Sequence, residues 1–144
     1  MQKYSLDESI GFYVARTERA MSLRLQAALR GMGCDITPHQ WIVLNGLWEK
    51  EGVTQNELAE RTYKGSSNIT RILDQLEKKK IIYRRPCTED RRSFRIYLTD
   101  EGKRLKDDLL PIGSMLLKNA SKNITQKEKV ELIKILNKIF DAVK

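Results

Sequence analysis

Residues 65–80 combine the pattern of a half-buried helix with polar side chains that suit contacts with a nucleic acid. Apolar residues recur at the i, i+3, i+4 and i+7 spacing of a helix with one buried face. They are Ile69, Ile72, Leu73 and Leu76. The other face carries small or polar groups that can meet base edges and phosphates, so we predict a helix able to enter a groove of duplex DNA. These groups are Ser66, Ser67, Asn68, Thr70 and Arg71.

The next segment, residues 81–98, is rich in arginine and has the alternation of a β-hairpin. Phe94, Ile96 and Leu98 alternate with polar positions, which predicts a strand after a charged turn. Arginines in such an arm can contact phosphates or enter a narrow minor groove. The candidates are Arg85, Arg91, Arg92 and Arg95. Gln55, at the predicted start of a preceding helix, could offer its amide and nearby N–H groups to a phosphate.

The charge of the chain is concentrated in this region. The 144 residues carry a formal net charge of +8, and eleven basic and four acidic side chains between Arg61 and Tyr97 account for +7 of it. A localised positive surface favours a polyanionic partner over general solubility charge. A hydrophobic content of 40% supports a packed core, so wholesale disorder is not expected.

Several classes of protein are disfavoured by what the sequence contains. Cys34 and Cys87 are too few for a disulfide framework, and acids stand near the N-terminus where a signal peptide needs an apolar core. No apolar run reaches the roughly 20 residues needed to span a bilayer. We therefore expect a cytoplasmic protein with reduced thiols and no membrane partner. His39 is the only histidine, so no metal or cofactor is predicted.

Ser or Thr followed three residues later by Glu or Gln predicts the N-termini of four helices, because these two side chains cap each other's backbone N–H groups. The pairs are Ser5/Glu8, Thr37/Gln40, Thr54/Glu57 and Thr125/Glu128. Together with the apolar periodicity they predict helices over about 6–30, 37–51, 55–62, 65–80, 99–120 and 126–143. The two short helices before residue 81 form a helix-turn-helix. Pro111 should kink the fifth helix.

The last predicted helix has an apolar belt too broad for one neighbouring helix to cover. Its main stripe is Val130, Ile133, Leu136, Phe140 and Val143, and the stripe is widened by Leu132, Ile135 and Ile139. We interpret this belt as buried between two copies of the chain.

In order and spacing, four fragments resemble the MarR family of transcriptional regulators: TPHQWIVLNGL, TQNELAERT, SSNITRILDQLEKKKIIYRR and EDRRSFRIYLTDEG. The resemblance covers nearly the whole chain, and Asp90-x-Arg92 followed by Leu98-Thr99-x-x-Gly102 is its most specific part. It implies a mainly α (α+β) fold, a winged helix-turn-helix with N- and C-terminal dimerisation helices. The expected division is 1–36 for the N-terminal dimerisation helix and turn, 37–102 for the DNA-binding domain, and 103–144 for the C-terminal dimerisation helices.

The function implied by the resemblance is that of a homodimeric regulator of a pseudopalindromic DNA operator, most often a repressor released by a small ligand. In the family a cavity between the first, second and fifth helices takes aromatic carboxylates. Here it would be lined by Tyr13, Arg16, Arg19, His39 and Trp41. The resemblance also implies that Arg92 pairs with Asp74 of the recognition helix and braces the wing, which we define as residues 81–98.

The sequence departs from the family at Lys80, where glycine is usual just after the recognition helix. Lysine in a left-handed conformation costs about 1 kcal/mol relative to glycine, so either the helix ends differently or this cost is accepted. Two alternatives of the same fold stay open. One is a thiol-redox sensor, with Cys87 beside several arginines, and the other is a protein-interaction module. No enzyme is predicted, because no nucleophile motif or phosphate-cradling glycine loop is present.

Overall fold

The computed structural model describes residues 4–90 and 92–144. Over these residues the chain forms six α-helices and a three-stranded antiparallel sheet, so the predicted fold class is confirmed. In chain order the elements are α1 (Ile10–Gly31), α2 (Pro38–Glu49), β1 (Val53–Thr54), α3 (Gln55–Thr62), α4 (Ser66–Lys78), β2 (Ile82–Pro86), β3 (Phe94–Leu98), α5 (Asp100–Ala120) and α6 (Gln126–Val143).

Three of the four predicted capping boxes are confirmed with both reciprocal hydrogen bonds, at the starts of α2, α3 and α6. The fourth, Ser5/Glu8, is wrong. Ser5 caps only a single 3₁₀ turn, Leu6–Glu8, and α1 begins after Ser9, whose hydroxyl accepts from the Phe12 N–H at 3.1 Å. The sequence offered two serines, and the second one starts the long helix.

The core lies where α2, α3, α4 and the sheet meet. Its largest fully buried side chains come from all of these elements and include Leu44, Leu47, Leu58, Ile69, Leu73, Leu76, Ile82 and Ile96. The strand order is β1-β3-β2, with Val53 opposite Ile96 and Ile82 opposite Leu98. The two-residue strand β1 was not predicted, because so short a segment has no readable alternation.

Close packing at Gly102 joins the wing to α5. A Cβ atom on Gly102 would lie 2.2 Å from the Ile81 carbonyl oxygen, so only glycine fits at this crossing. The Gly102 carbonyl also accepts a buried hydrogen bond from Trp48 Nε1 at 3.0 Å. From this point α5 continues through Pro111 without ending.

Helix α6 contributes no buried residue to the core, although its predicted apolar stripe is present. The side chains of Val130, Leu132, Ile133, Phe140 and Val143 are all exposed. By contrast, α1 packs against α5 and α2. Within the described ranges, no helix has both the length and the apolar character that crossing a bilayer requires.

The end of α4 shows that the cost at Lys80 is accepted. Lys80 has a φ of 59°, in the left-handed region. Its N–H bonds the Glu77 carbonyl at 2.9 Å, and the Ile81 N–H bonds the Leu76 carbonyl at 3.0 Å. This is the hydrogen-bond pattern of a Schellman cap, in which Ile81 and Leu76 are also both buried. The burial of these two apolar side chains favours this geometry in spite of the lysine.

We predict that Lys80→Gly raises the free energy of unfolding by about 1 kcal/mol, because glycine adopts a positive φ without strain. Urea denaturation of the purified protein measures the change. Lys80→Ala is the control, since it removes the same charge but keeps a Cβ atom in the left-handed conformation. Equal stabilisation by alanine and glycine would contradict the conformational explanation.

Candidate nucleic-acid interface

The polar face of α4 lies on the surface, as predicted. Ser66, Ser67, Thr70 and Arg71 are exposed, and Asn68 is half-buried. The opposite face, through Ile69 and Leu73, is anchored in the core. Because Gly65 is the N-cap, no cap side chain accepts from the first-turn N–H groups of α4. The structure therefore brings the predicted side chains together at an exposed helix N-terminus, where anions are favoured.

Hydrogen bonds hold parts of this face in place before any partner binds. Gln55 Nε2 donates to Thr70 Oγ1 at 2.6 Å, and the same hydroxyl donates to the Ser66 carbonyl at 2.8 Å. Arg71 Nη2 donates to Asn68 Oδ1 at 3.3 Å. The predicted Gln55 thus links the start of α3 to α4, and its amide is already engaged.

The wing is braced against α4 by Arg84. Its Nη2 atom lies 2.9 Å from Asp74 Oδ1, and its Nη1 atom lies 3.2 Å from Glu77 Oε1. The Arg84 side chain is only 15% exposed, whereas the side chains of Asp74 and Glu77 are 61% and 45% exposed, so the ion pair is shielded from water on the side of the cation.

The predicted brace between Asp74 and Arg92 is therefore wrong in its cation. Alternation along β2 turns Arg84 to the side of the sheet that faces α4, because Ile82, two residues earlier, is buried in the core. Arg92 is exposed in the turn, where its backbone N–H donates to Asp90 Oδ1 at 3.0 Å. The alternation of residues 82, 84 and 86 was a signal that sequence reasoning missed.

The remaining wing arginines differ in their surroundings. Arg85 is exposed and lies over the rings of Tyr83 and Tyr97, at 5.3 and 5.5 Å from their centroids. Arg95 donates to the Gly52 carbonyl at 2.9 Å and lies 3.7 Å from Glu89, so its guanidinium partly serves the fold of the sheet. The predicted site residue Arg91 lies outside the described residues.

The five predicted pocket residues do not share one set of contacts. Tyr13 and Arg16 contact each other, with the guanidinium 4.8 Å from the ring centroid. His39 Nδ1 lies 2.7 Å from Lys64 Nζ, at the turn before α4. Trp41 packs edge-on against Trp48, and its ring lies so close to Gly113 of α5 that a Cβ atom there would be 2.6 Å from it. Arg19 is exposed on α1. The structure does have an open cleft of about 330 Å³ elsewhere, between the end of α5 and the start of α6.

Neither cysteine has the surroundings of a reactive thiol. Burial raises the pKa of the Cys34 thiol and outweighs the lowering by the hydrogen bond with the Ile36 backbone and by the charge of Lys79. Cys87 is buried, and its backbone N–H bonds the Ser93 carbonyl at 2.8 Å. Reactive cysteines are exposed or have a lowered pKa. Cys87 is buried and the pKa of Cys34 is raised, so these environments disfavour the redox alternative.

An exposed polar helix beside a basic wing defines a winged helix-turn-helix lobe. Comparison with known proteins agrees with this class. The MarR family matches residues 36–94. The chain is 30% identical over 112 residues to the organic hydroperoxide resistance transcriptional regulator of Bacillus subtilis. The aligned residues cover 78% of this chain and 75% of that protein.

Two solved structures share the fold over nearly all of the chain. The PcaV transcriptional regulator from Streptomyces coelicolor, in complex with its natural ligand, has a TM-score of 0.87 at 22% identity and covers 100% of both chains. MepR from S. aureus, in a complex with DNA, has a TM-score of 0.85 at 22% identity and covers 97% of this chain and 100% of its own. The chain belongs to the MarR family, and it is a DNA-binding transcriptional regulator, not an enzyme.

We predict that Arg84→Ala lowers the free energy of unfolding by about 1 kcal/mol, because two charge-assisted hydrogen bonds are lost at a partly shielded site. Arg92→Ala is the matched control and should change stability by less than about 0.5 kcal/mol. A double-mutant cycle with Asp74→Ala measures the pair directly. A larger coupling of Asp74 to Arg92 than to Arg84 would contradict the brace described here.

Proposed function

We propose that two copies of this chain bind a pseudopalindromic operator in duplex DNA, each placing α4 in the major groove and its wing tip against the backbone or minor groove. The observation that carries this proposal is the exposed polar start of α4 beside a basic wing that Arg84 ties to the same helix. Two lobes must lie about 34–36 Å apart to meet half-sites one helical turn apart.

Within this proposal the side chains have different tasks. Arg71 and the neighbouring serines, with Asn68, read base edges and phosphates. Arg85, Arg92 and Arg91 supply positive charge along the wing, and Arg95 shapes the sheet as well as adding charge. Gln55 holds Thr70 in place through its 2.6 Å hydrogen bond, so it positions the polar face of α4, which we call the reading face.

The exposed stripe of α6 supports the homodimer. An apolar face of this size is unfavourable in water, and each square ångström that a partner covers contributes about 25 cal/mol. Helix α1 also exposes apolar side chains, including Ile10, Val14 and Met21. We therefore propose that residues 1–36 and 103–144 form the dimer interface, and that residues 37–102 form the DNA-reading lobe.

We further propose that the protein is a repressor released by a small aromatic acid. The ring of Tyr13 and the guanidinium of Arg16 offer stacking surface and a cation for such a ligand. A ligand of this kind acts only if it binds more tightly to a conformation whose lobe spacing does not fit the operator. Cys87 is buried, and partial burial raises the pKa of the Cys34 thiol, so this form of regulation is better supported than thiol oxidation.

Arg71→Ala should weaken binding to an operator by about 1–3 kcal/mol and relax the base preference at one position. The operator is first selected from random duplex DNA with the unmodified protein, and affinities are then measured by fluorescence anisotropy. Arg104→Ala, which removes a charge from α5, is the control and should leave affinity unchanged. If about six to ten phosphates are contacted, affinity should fall roughly 10³–10⁵-fold between about 50 and 200 mM salt. Failure to select any sequence, or unchanged affinity for Arg71→Ala, would refute this role.

Ile133→Glu should convert the dimer to a monomer, because it places a carboxylate in the middle of the apolar stripe. Light scattering after size-exclusion chromatography measures the mass. Lys134→Glu, at the next position along the helix, introduces the same carboxylate outside the stripe and should leave the dimer intact. A monomeric wild type, or a dimer that tolerates Ile133→Glu, would contradict the proposed interface.

A further inference from the structure

Gln40 is a polar side chain that the fold has buried, with 3% exposure, between the start of α2 and the second half of α4. An amide in this position is costly unless its hydrogen bonds are made. To cap α2, the residue 40 side chain only has to hydrogen-bond the backbone N–H of the N-cap residue, which does not require burial. The corresponding capping residues of α3 and α6, Glu57 and Glu128, are exposed. Burial therefore distinguishes Gln40 from the other two capping residues of the same kind.

The Gln40 amide joins α2 to α4. Its Oε1 atom accepts from the Thr37 N–H at 3.2 Å and from Lys79 Nζ at 3.0 Å. Its Nε2 atom donates to Gln75 Oε1 at 3.0 Å. Capping α2 uses only the first of these bonds, so the other two hold the end of α4 against the start of α2.

Lys79 extends this connection to the turn between α1 and α2. Its ammonium group donates to the Asp35 carbonyl oxygen and lies 3.5 Å from the Asp35 carboxylate. The Lys79 side chain is only 28% exposed, and Ile36, beside Asp35, is buried in the core. The last turn of α4 is thus bonded both to α2 and to the segment through which α1 enters the lobe.

We infer that Gln40 and Lys79 are positioning residues that set the tilt and rotation of α4, and through them the base selectivity of the lobe. This inference rests on the proposed reading of DNA by α4. Gln55 holds α4 near its start. The hydrogen bonds of Gln40 with Gln75 and Lys79, which we call the Gln40–Lys79 clamp, hold it near its end, so Arg71 lies between two fixed points. Bonds to base edges need well-defined geometry, whereas attraction to phosphates tolerates displacement. Loosening the clamp should therefore reduce discrimination between sequences more than it reduces general affinity for DNA.

The experiment measures, for full-length protein, a selectivity ratio: the dissociation constant for a scrambled duplex divided by the dissociation constant for the selected operator. Lys79→Met removes the cationic arm, and Lys78→Met removes the same charge from the exposed neighbouring position. We expect Lys79→Met to lower the ratio about tenfold, through weaker operator binding, and Lys78→Met to leave it unchanged. A loss of phosphate affinity alone would weaken binding to both duplexes equally and leave the ratio unchanged.

A second pair of variants tests Gln40 itself. Gln40→Met has similar length but cannot hydrogen-bond, so it should lower the ratio at least as much as Lys79→Met does. Gln40→Glu keeps acceptors for Thr37 and Lys79 and should restore most of the ratio. The inference is overturned if Lys79→Met and Lys78→Met give the same ratio, or if folded Gln40→Met matches the wild type within about twofold. If Gln40→Met does not fold, the Lys79 and Lys78 pair decides. A wild type without any sequence preference would overturn the proposed function as well, and is recognised before any variant is made.

Discussion

The apolar face of α4 is buried in the core, and this burial determines how the helix is oriented in the lobe. Ile69, Leu73 and Leu76 are essentially inaccessible to water, so the helix can rotate about its axis only by exposing them. Burying each such side chain stabilises the folded protein by about 1.5–3 kcal/mol. The same constraint fixes which side chains face outward, and the reading face exists because the opposite face is held in the core.

Apolar packing sets the rotation of α4 coarsely, and polar contacts at its margins refine the position. Arg84 connects it to the wing, Gln55 to the start of α3, and Gln40 to the start of α2. The contact made by Gln40, whose side chain is buried, is the most shielded from water of the three, and hydrogen bonds are stronger in such surroundings. A regulator that must place side chains against base edges benefits from such directional contacts, since hydrophobic burial alone is not directional.

The chain has one lobe with a complete core and one helix, α6, that adds no buried residue to that core. The lobe satisfies its own buried groups, and no buried side-chain polar atom among the described residues lacks a hydrogen-bond partner. Helix α6, in contrast, is stabilised locally by its capping box, whose hydrogen bond from the Thr125 backbone lowers the pKa of Glu128. Among the described residues, Tyr63 contacts Phe140 of this helix, yet the apolar stripe of α6 stays largely exposed. This difference is the physical reason for proposing that folding of the lobe is intramolecular and burial of α6 is intermolecular.

Features that depend on near neighbours in the chain could be predicted from the residues alone. The capping pairs of α2, α3 and α6, the apolar stripe of α4 and the arginine-rich hairpin all act over a few residues, and these were predicted correctly, whereas Ser5/Glu8 was not. Contacts between distant residues could not be predicted in this way. They are the cation that pairs with Asp74, the short strand β1 opposite β3, and the hydrogen bonds from Gln40 to Gln75 and Lys79. Many arginines in the wing are chemically equivalent partners for a carboxylate. Which one reaches it depends on the face of the strand it occupies and on how the strand packs against α4, and that geometry exists only once the core has formed.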